Sequence, residues 1–317
     1  MKIALFSEGQ ASIWLNNAIK KCGHEVVNIS WNGESPRLYE HLLDSCDFIL
    51  CMGGQFHIDG ELFSQLKIPK VYWFCDTVKR HLGVFKEVCE ACDIVLLSQK
   101  DSSFIDNKKT FFLPPGYDPE YTWCDAKKIS KQDIDKYSCD VSFIGTYNHP
   151  RRLDFVGHLE EFSTHIWGNN WPGRVYEQNG QRYFYPYNKQ WRGFAIYGEE
   201  YAKAILLAKI NVDLHYPDDC EPEKFSCVAG PSFKTMEILG VGGFLLTDNV
   251  QGISDLFRDG EHLAVYDSYE DMKSKIRYYL DNRERAIEIG INARKEVLAK
   301  HLWEYRIKWI GECLNAK

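Results

Sequence analysis

The stretch GPSFKTMEILG (230–240) carries side chains whose types and spacing suit a phosphorylated ligand. At helical spacing Lys234 and Glu237 are neighbours, while Met236 and Leu239 point elsewhere, into a core. A helix starting here would aim Ser232 and Lys234 at a phosphate while Glu237 accepts hydrogen bonds from ribose hydroxyls. Without a ligand the same pair is a surface contact worth only about 0.2–0.5 kcal/mol, and residue types alone leave both readings open. A second candidate is FIGTYNHPRRLDF (143–155), where a strand ends at Gly145 and Thr146 begins a polar turn. Pro150 then stands at a first helical position, where free N–H groups favour an anion and Arg151 and Arg152 add fixed charge. The plainer alternative is a βα turn with two exposed arginines. Asp248 closes a further apolar run, GGFLLTDN.

Acid–base chemistry has its best candidates near the start of the chain. Asp76 follows YWFC and Glu8 follows the first apolar run, both where a carboxylate could orient or deprotonate a hydroxyl. Asp76 could equally cap a helix over TVKR. His57 and His81 are weaker candidates, because a lone histidine is more often structural. The segment 174–194 holds seven aromatics, four basic residues and one acid. Arg182, Tyr185, Trp191 and Arg192 within it could stack and grip sugars or bases, and the bland alternative is a hairpin packed on its own aromatics. The only Asp-x-Asp element, Asp133 and Asp135, lies in a Lys-rich stretch instead of following an apolar strand. No metal site is expected there.

Positioning these residues requires strands that end beside them. In the first third of the chain, KIALFSE (2–8), EVVNISW (25–31), DFILCMG (47–53), KVYWFCD (70–76), DIVLLSQ (93–99) and TFFLPPG (110–116) alternate with helical patterns. This is the signature of a parallel sheet covered on both faces. A polar crossing follows at 117–138. The alternation restarts with CDVSFIGT (139–146), STHIWGN (163–169), NVDLHY (211–216), GGFLLTDN (242–249) and HLAVYD (262–267), and amphipathic helical patterns close the chain. The fold class is therefore α/β, with two doubly wound domains, and ligands belong at the carboxyl ends of the strands.

Composition narrows the function. Of 317 residues, 44% are hydrophobic and 26% charged, as in a globular protein with ample core. A net charge of −7 disfavours a protein that grips a polyanion over a wide face, though not a local basic groove. The first strand is followed by SEGQAS, not the Gly-rich fingerprint of a nicotinamide dehydrogenase, and no P-loop occurs. The 11 cysteines are scattered, with Cys89 and Cys92 the only C-x-x-C pair, so reduced core cysteines and a cytoplasmic location are expected. No apolar stretch is long enough for a membrane span.

The ordered pattern S-x-K-T-x-E-I-L-G-x-G-G-F-L-L-T-D followed by G-I-x-D-L-F-x-D-G-E-H resembles the donor-binding half of group-1 glycosyltransferases with the GT-B fold. It is most similar to their CgeB-like, spore-maturation branch, and YWFCDT, LPPGYD, FIGT and HLWEYR are similar to further landmarks. The resemblance implies two Rossmann-like domains facing a cleft: an acceptor domain at 1–130, a nucleotide-sugar donor domain at 139–300, and a helix at 301–317 returning to the first. It assigns Glu237 to the donor ribose and Lys234 to the donor phosphates; Ser232, Gly145, Thr146, Arg151, Arg152 and Asp248, placed by their own sequence context at strand ends and helix starts, are further donor-side candidates. Many relatives carry Glu-x7-Glu, and the earlier acid is replaced here by Ala229. The implied activity is metal-independent transfer from a nucleotide-diphosphate sugar, with a UDP-sugar expected, no cofactor, and retention of anomeric configuration. A saccharide or small-molecule acceptor fits the acidic chain. The alternatives are a phage-type DNA glycosyltransferase acting on a hydroxymethylated base, with DNA as partner, and a non-catalytic nucleotide-sugar binding protein.

Overall fold

The computed structural model describes residues 1–7, 9–29, 40–53, 63–75, 87–103, 105, 109–147, 150–178, 181–186, 188–215 and 230–315. The first sheet comprises β1 (Lys2–Ser7), β2 (Glu25–Asn28), β3 (Phe48–Met52), β4 (Lys70–Phe74), β5 (Ile94–Leu97) and β6 (Thr110–Phe112), in the order β2-β1-β3-β4-β5-β6. Every pairing in it is parallel. All residues of β3, β4 and β5 are buried, the reason their sequences read as continuous apolar runs instead of alternating ones. Strand periodicity still sorts them: Phe6, Cys51 and Phe74 pack on one face, while Leu5, Leu50 and Trp73 pack on the other. Helix α1 (Gly9–Lys21) covers the second of these faces with Trp14, Leu15, Ala18 and Ile19. A short helix, α2 (Glu40–Leu43), precedes β3.

The polar crossing contains α3 (Lys131–Tyr137), started by Ser130, whose hydroxyl accepts from the Asp133 N–H while Asp133 accepts from the Ser130 N–H. The second sheet is built from β7 (Cys139–Ile144), β8 (Thr164–Trp167), β11 (Trp191–Gly193), β12 (Ala208–Asp213), β13 (Leu245–Asp248) and β14 (Ala264–Tyr266), ordered β11-β8-β7-β12-β13-β14. It too is parallel throughout. Between β8 and β11, the strands β9 (Gly173–Gln178) and β10 (Gln181–Pro186) form a separate antiparallel hairpin. The covering helices are α4 (Arg151–Gly157), α5 (Gly198–Leu207), α6 (Phe233–Val241), α7 (Ile253–Leu256), α8 (Tyr269–Asp281) and α9 (Arg283–Lys300). Helix α5 had no distinct counterpart in the sequence pattern.

The chain leaves α9 at His301–Leu302 and ends in a separate helix, α10 (Trp303–Asn315), which packs on α1. At the break the Tyr117 N–H donates to the His301 carbonyl at 2.9 Å, tying the chain's return to its earlier crossing. Gly240 is required in the same region, because a Cβ there would lie 2.5 Å from the Tyr117 ring. Each sheet reverses its winding direction once, between β1 and β3 and between β7 and β12, and such reversals open crevices at the strand ends. Among the described residues no helix is long and apolar enough to cross a membrane.

Candidate active site

A cleft of about 350 Å³ lies where both reversals meet. Its walls come from α1 (Gln10, Ala11, Trp14), Tyr121 of the crossing, the turn after β7 (Gly145, Thr146), Trp167, Tyr197, Tyr201, and the α6 residues Phe233, Lys234 and Glu237. The size falls in the range of small-molecule pockets, with several aromatic walls and few polar groups.

Helix α6 owes its start to Ser232. The Ser232 hydroxyl accepts from the Thr235 N–H at 3.3 Å, and the Thr235 hydroxyl accepts in return from the Ser232 N–H at 3.3 Å. The Ser232 hydroxyl is thus engaged in capping its own helix, and Ser232 stands outside the cleft lining. Its capping directs the following turn: Phe233, Lys234 and Glu237 face the cleft, while Met236 and Leu239 are buried beneath, as their spacing required. Glu237 Oε1 accepts from the Thr122 hydroxyl at 2.8 Å. Burial pushes the Glu237 carboxyl up to about 7, against the opposing pull of Thr122 and Lys234. Lys234 donates to Asp213 Oδ1 and stands 4.8 Å from the centre of the Phe143 ring. Burial holds its ammonium below the usual lysine range, although Asp213 works the other way.

The turn after β7 is packed tightly against its neighbour strand. The Gly145 N–H donates to the Trp167 carbonyl at 2.8 Å and its carbonyl accepts from the Trp171 indole at 2.9 Å. A Cβ on Gly168 would sit 2.1 Å from the Gly145 oxygen, so only glycine permits this approach. The Gly145 N–H is therefore engaged with the neighbouring strand, while Gly145 and Thr146 both line the cleft. Arg152 donates to the Thr146 carbonyl and lies 5.8 Å from the Phe143 ring centre, holding a positive charge at the turn.

Other expected residues are placed elsewhere. Arg151 is buried, only 6% exposed, with its guanidinium against the Tyr269 hydroxyl and outside the cleft lining, so it is neither an exposed turn arginine nor a cleft residue. Asp248 is fully buried and its carboxylate binds His215, which removes it from direct contact with a cleft ligand. Trp191 and Arg192 lie on the edge strand β11. There the Trp191 indole donates to the Gly168 carbonyl at 3.0 Å, and exposed Arg192 donates to the Lys189 carbonyl at 3.1 Å. Neither lines the cleft. Arg182 and Tyr185 stand in the hairpin, in register with Glu177 and Arg174. Asp76, Glu8, His57, His81 and Ala229 lie outside the described residues. Asp133 is committed to capping α3 and to Lys203 at 3.3 Å. Cys89 and Cys92 are buried in the core of the first sheet, where burial raises both thiols, Cys92 to about 12. Sequence reasoning missed the aromatic walls. Trp14, one helical turn after Gln10, could have been found from that spacing, but Tyr121, Trp167, Tyr197 and Tyr201 carry no local signal.

Residues 151–311 match a family model described as glycosyl transferase-like. No curated protein matches the chain. Among solved structures, HepE from Anabaena, in complex with UDP-glucose, is similar with a TM-score of 0.71 at 12% identity, with 100% of both chains covered. Sucrose-phosphate synthase from Thermosynechococcus elongatus gives a TM-score of 0.72 at 13% identity, over 99% of this chain and 98% of that one. WaaG, a glycosyltransferase involved in lipopolysaccharide biosynthesis, gives 0.57 at 12% identity over 98% of each chain. Identities this low establish the shared fold, two parallel-sheet domains and a C-terminal helical stretch in the GT-B arrangement. The family match itself takes in half of the chain, from α4 into α10 and through Lys234 and Glu237, so this protein belongs to the glycosyl transferase-like family and is a glycosyltransferase.

Proposed function

We propose that the protein transfers a sugar from a nucleotide-diphosphate sugar, with the donor held in the cleft between the two sheets. The observation that carries this reading is the pair Lys234 and Glu237 on one face of α6, both opening on the cleft at the reversal point of the second sheet. Glu237 accepts hydrogen bonds from the donor ribose, and Lys234, the Thr146 turn with Arg152, and the first N–H groups of α6 offset the leaving diphosphate's charge. In this reading no metal is needed. The second domain holds the donor and the first presents the acceptor, past the wall formed by Gln10 and Trp14. HepE's complex with UDP-glucose supports a UDP-sugar as the first donor to try. Membership of the CgeB-like branch and retention of configuration belong to the same proposal. So does a saccharide or small-molecule acceptor oriented by Asp76 or Glu8.

The test is a panel of nucleotide sugars, followed by release of the nucleoside diphosphate, with and without candidate acceptors. Wild-type protein should release UDP from one donor, without loss on adding a chelator, while Glu237→Ala and Lys234→Ala should each lose at least tenfold in kcat/KM. Absence of binding to every donor would overturn the reading. Binding without turnover would favour the sensor alternative, and stimulation by hydroxymethylated DNA would favour the DNA acceptor.

A further inference from the structure

Beneath Lys234 lies a buried charged network that the cleft lining does not account for. Asp213 ends β12 and is 1% exposed, and His215 follows at 7%. Parallel pairing sets Asp213 opposite Thr247, which carries His215 past the end of β13 and over Asp248. Both Asp248 oxygens accept the His215 backbone N–H at 3.1 Å, and Asp248 Oδ1 also meets His215 Nδ1 at 2.8 Å. With Nδ1 and backbone both clamped, the ring has one orientation. Its Nε2 then lies 3.7 Å from Asp213 Oδ2 and 3.4 Å from the Thr235 hydroxyl. The other Asp213 oxygen, Oδ1, holds Lys234. Four charged groups thus run in series from β13 to the cleft: Asp248, His215, Asp213, Lys234.

The arrangement has an electrostatic consequence. Asp213 Oδ2 is buried and makes no hydrogen bond among the described residues, so its charge needs compensation at close range. With His215 protonated, the two carboxylates and two cations cancel, and Arg152, which stands outside the cleft lining but donates to the carbonyl of cleft-lining Thr146, leaves a net positive charge beside the floor. With His215 neutral, the two carboxylates offset Lys234 and Arg152 together, and the floor loses its attraction for an anion. Burial opposes charging of His215, but Asp213 and Asp248 outweigh it and raise its pKa above the usual histidine range. The groups facing it are Asp248 from β13, Asp213 from its own strand, and Lys234 and Thr235 from α6. Behind Asp213, Tyr266 of β14 donates to its carbonyl at 2.7 Å.

We propose that His215, clamped by Asp248, is a positioning residue for the donor diphosphate. It occupies the far side of Asp213, so that Lys234 is presented to the cleft with its charge uncancelled. The proposal rests on the nucleotide-sugar reading above.

The test is calorimetric binding of UDP to wild type, Lys234→Ala, His215→Asn and the double variant. His215→Asn keeps a neutral amide donor for Asp248 and cannot charge. Expected are a tenfold or larger loss for Lys234→Ala, about a tenfold loss for His215→Asn, and a double variant within about twofold of Lys234→Ala, since coupled groups are not additive. A merely structural histidine would instead multiply its loss onto that of Lys234→Ala, and wild-type affinity in His215→Asn would overturn the proposal outright. Unchanged affinity in Lys234→Ala would instead indict the donor site itself. Should His215→Asn not fold, UDP-glucose binding to Glu237→Gln across pH 6–9 serves as the second measurement. Affinity should fall as pH rises and His215 discharges, and a flat profile would overturn the proposal.

Discussion

Glu237 lies between burial, which favours its neutral form, and two groups that favour its charge, the Thr122 hydroxyl and Lys234. The result, a carboxyl titrating near 7, places its proton within reach of physiological pH. The sign for stability follows from linkage: the folded carboxyl holds its proton more tightly than the unfolded one, so stability falls as pH rises from about 4.5 through 7. Glu237→Gln removes that penalty. It should be more stable than wild type at pH 8, by about 3 kcal/mol, with the difference vanishing near pH 4. Chemical denaturation at both pH values checks it, and equal stabilities at pH 8 would count against a strained carboxyl. Thr122→Val should push Glu237 higher still and weaken UDP-glucose binding at pH 7 several-fold, because a protonated carboxyl is a poorer acceptor for ribose hydroxyls. Calorimetry of that variant at pH 7 and pH 9 should show the defect shrinking as the carboxyl ionises.

Helix α10 connects the site to the fold. Its first residue, Trp303, is 1% exposed and packs against Trp14 (ring centres 5.9 Å apart, stacked), Trp73 (5.4 Å) and Phe233 (6.0 Å). Trp14 and Phe233 are walls of the cleft, so the returning helix braces one wall from each domain. Trp303→Ala should cost about 3–5 kcal/mol in unfolding free energy. In protein that remains folded it should raise the donor KM, as thermal unfolding and initial rates would show. The existence of α10 was legible as amphipathic periodicity, and so were the strands, because buried parallel strands print continuous apolar runs. Lys234 and Glu237 were legible because one helix carries both. The network under them was not. Asp213, His215 and Asp248 meet only through the register of two adjacent strands, 33 residues apart between His215 and Asp248, and no local period records it. Arg151 and Arg152 show the same limit at closer range: adjacent in sequence, they project to different sides of α4, one to Tyr269 and one to the β7 turn.

At the scale of the whole molecule, charge bears on the acceptor. The chain carries 38 basic and 45 acidic residues, and the positive charge described at the cleft, Lys234 in its lining and Arg152 behind the Thr146 turn, is local and tied to Asp213 and the Thr146 carbonyl. A duplex acceptor would have to be held by several phosphate contacts, and six to ten of them would make binding fall by about 10³–10⁵ between 50 and 200 mM salt. A saccharide or other small acceptor, held by hydrogen bonds and aromatic stacking, would feel little of this screening. The acceptor KM is therefore expected to change less than about threefold over that range, since exposed charges are screened within about 10 Å at 0.1 M salt. The donor KM should rise modestly, because the buried pairs beneath it are shielded from ions. Initial rates at both salt concentrations, with donor and acceptor varied separately, measure the two effects independently. A steep salt dependence confined to the acceptor would move the assignment to a nucleic acid and return the basic-aromatic hairpin at Gly173–Pro186 to the centre of the problem.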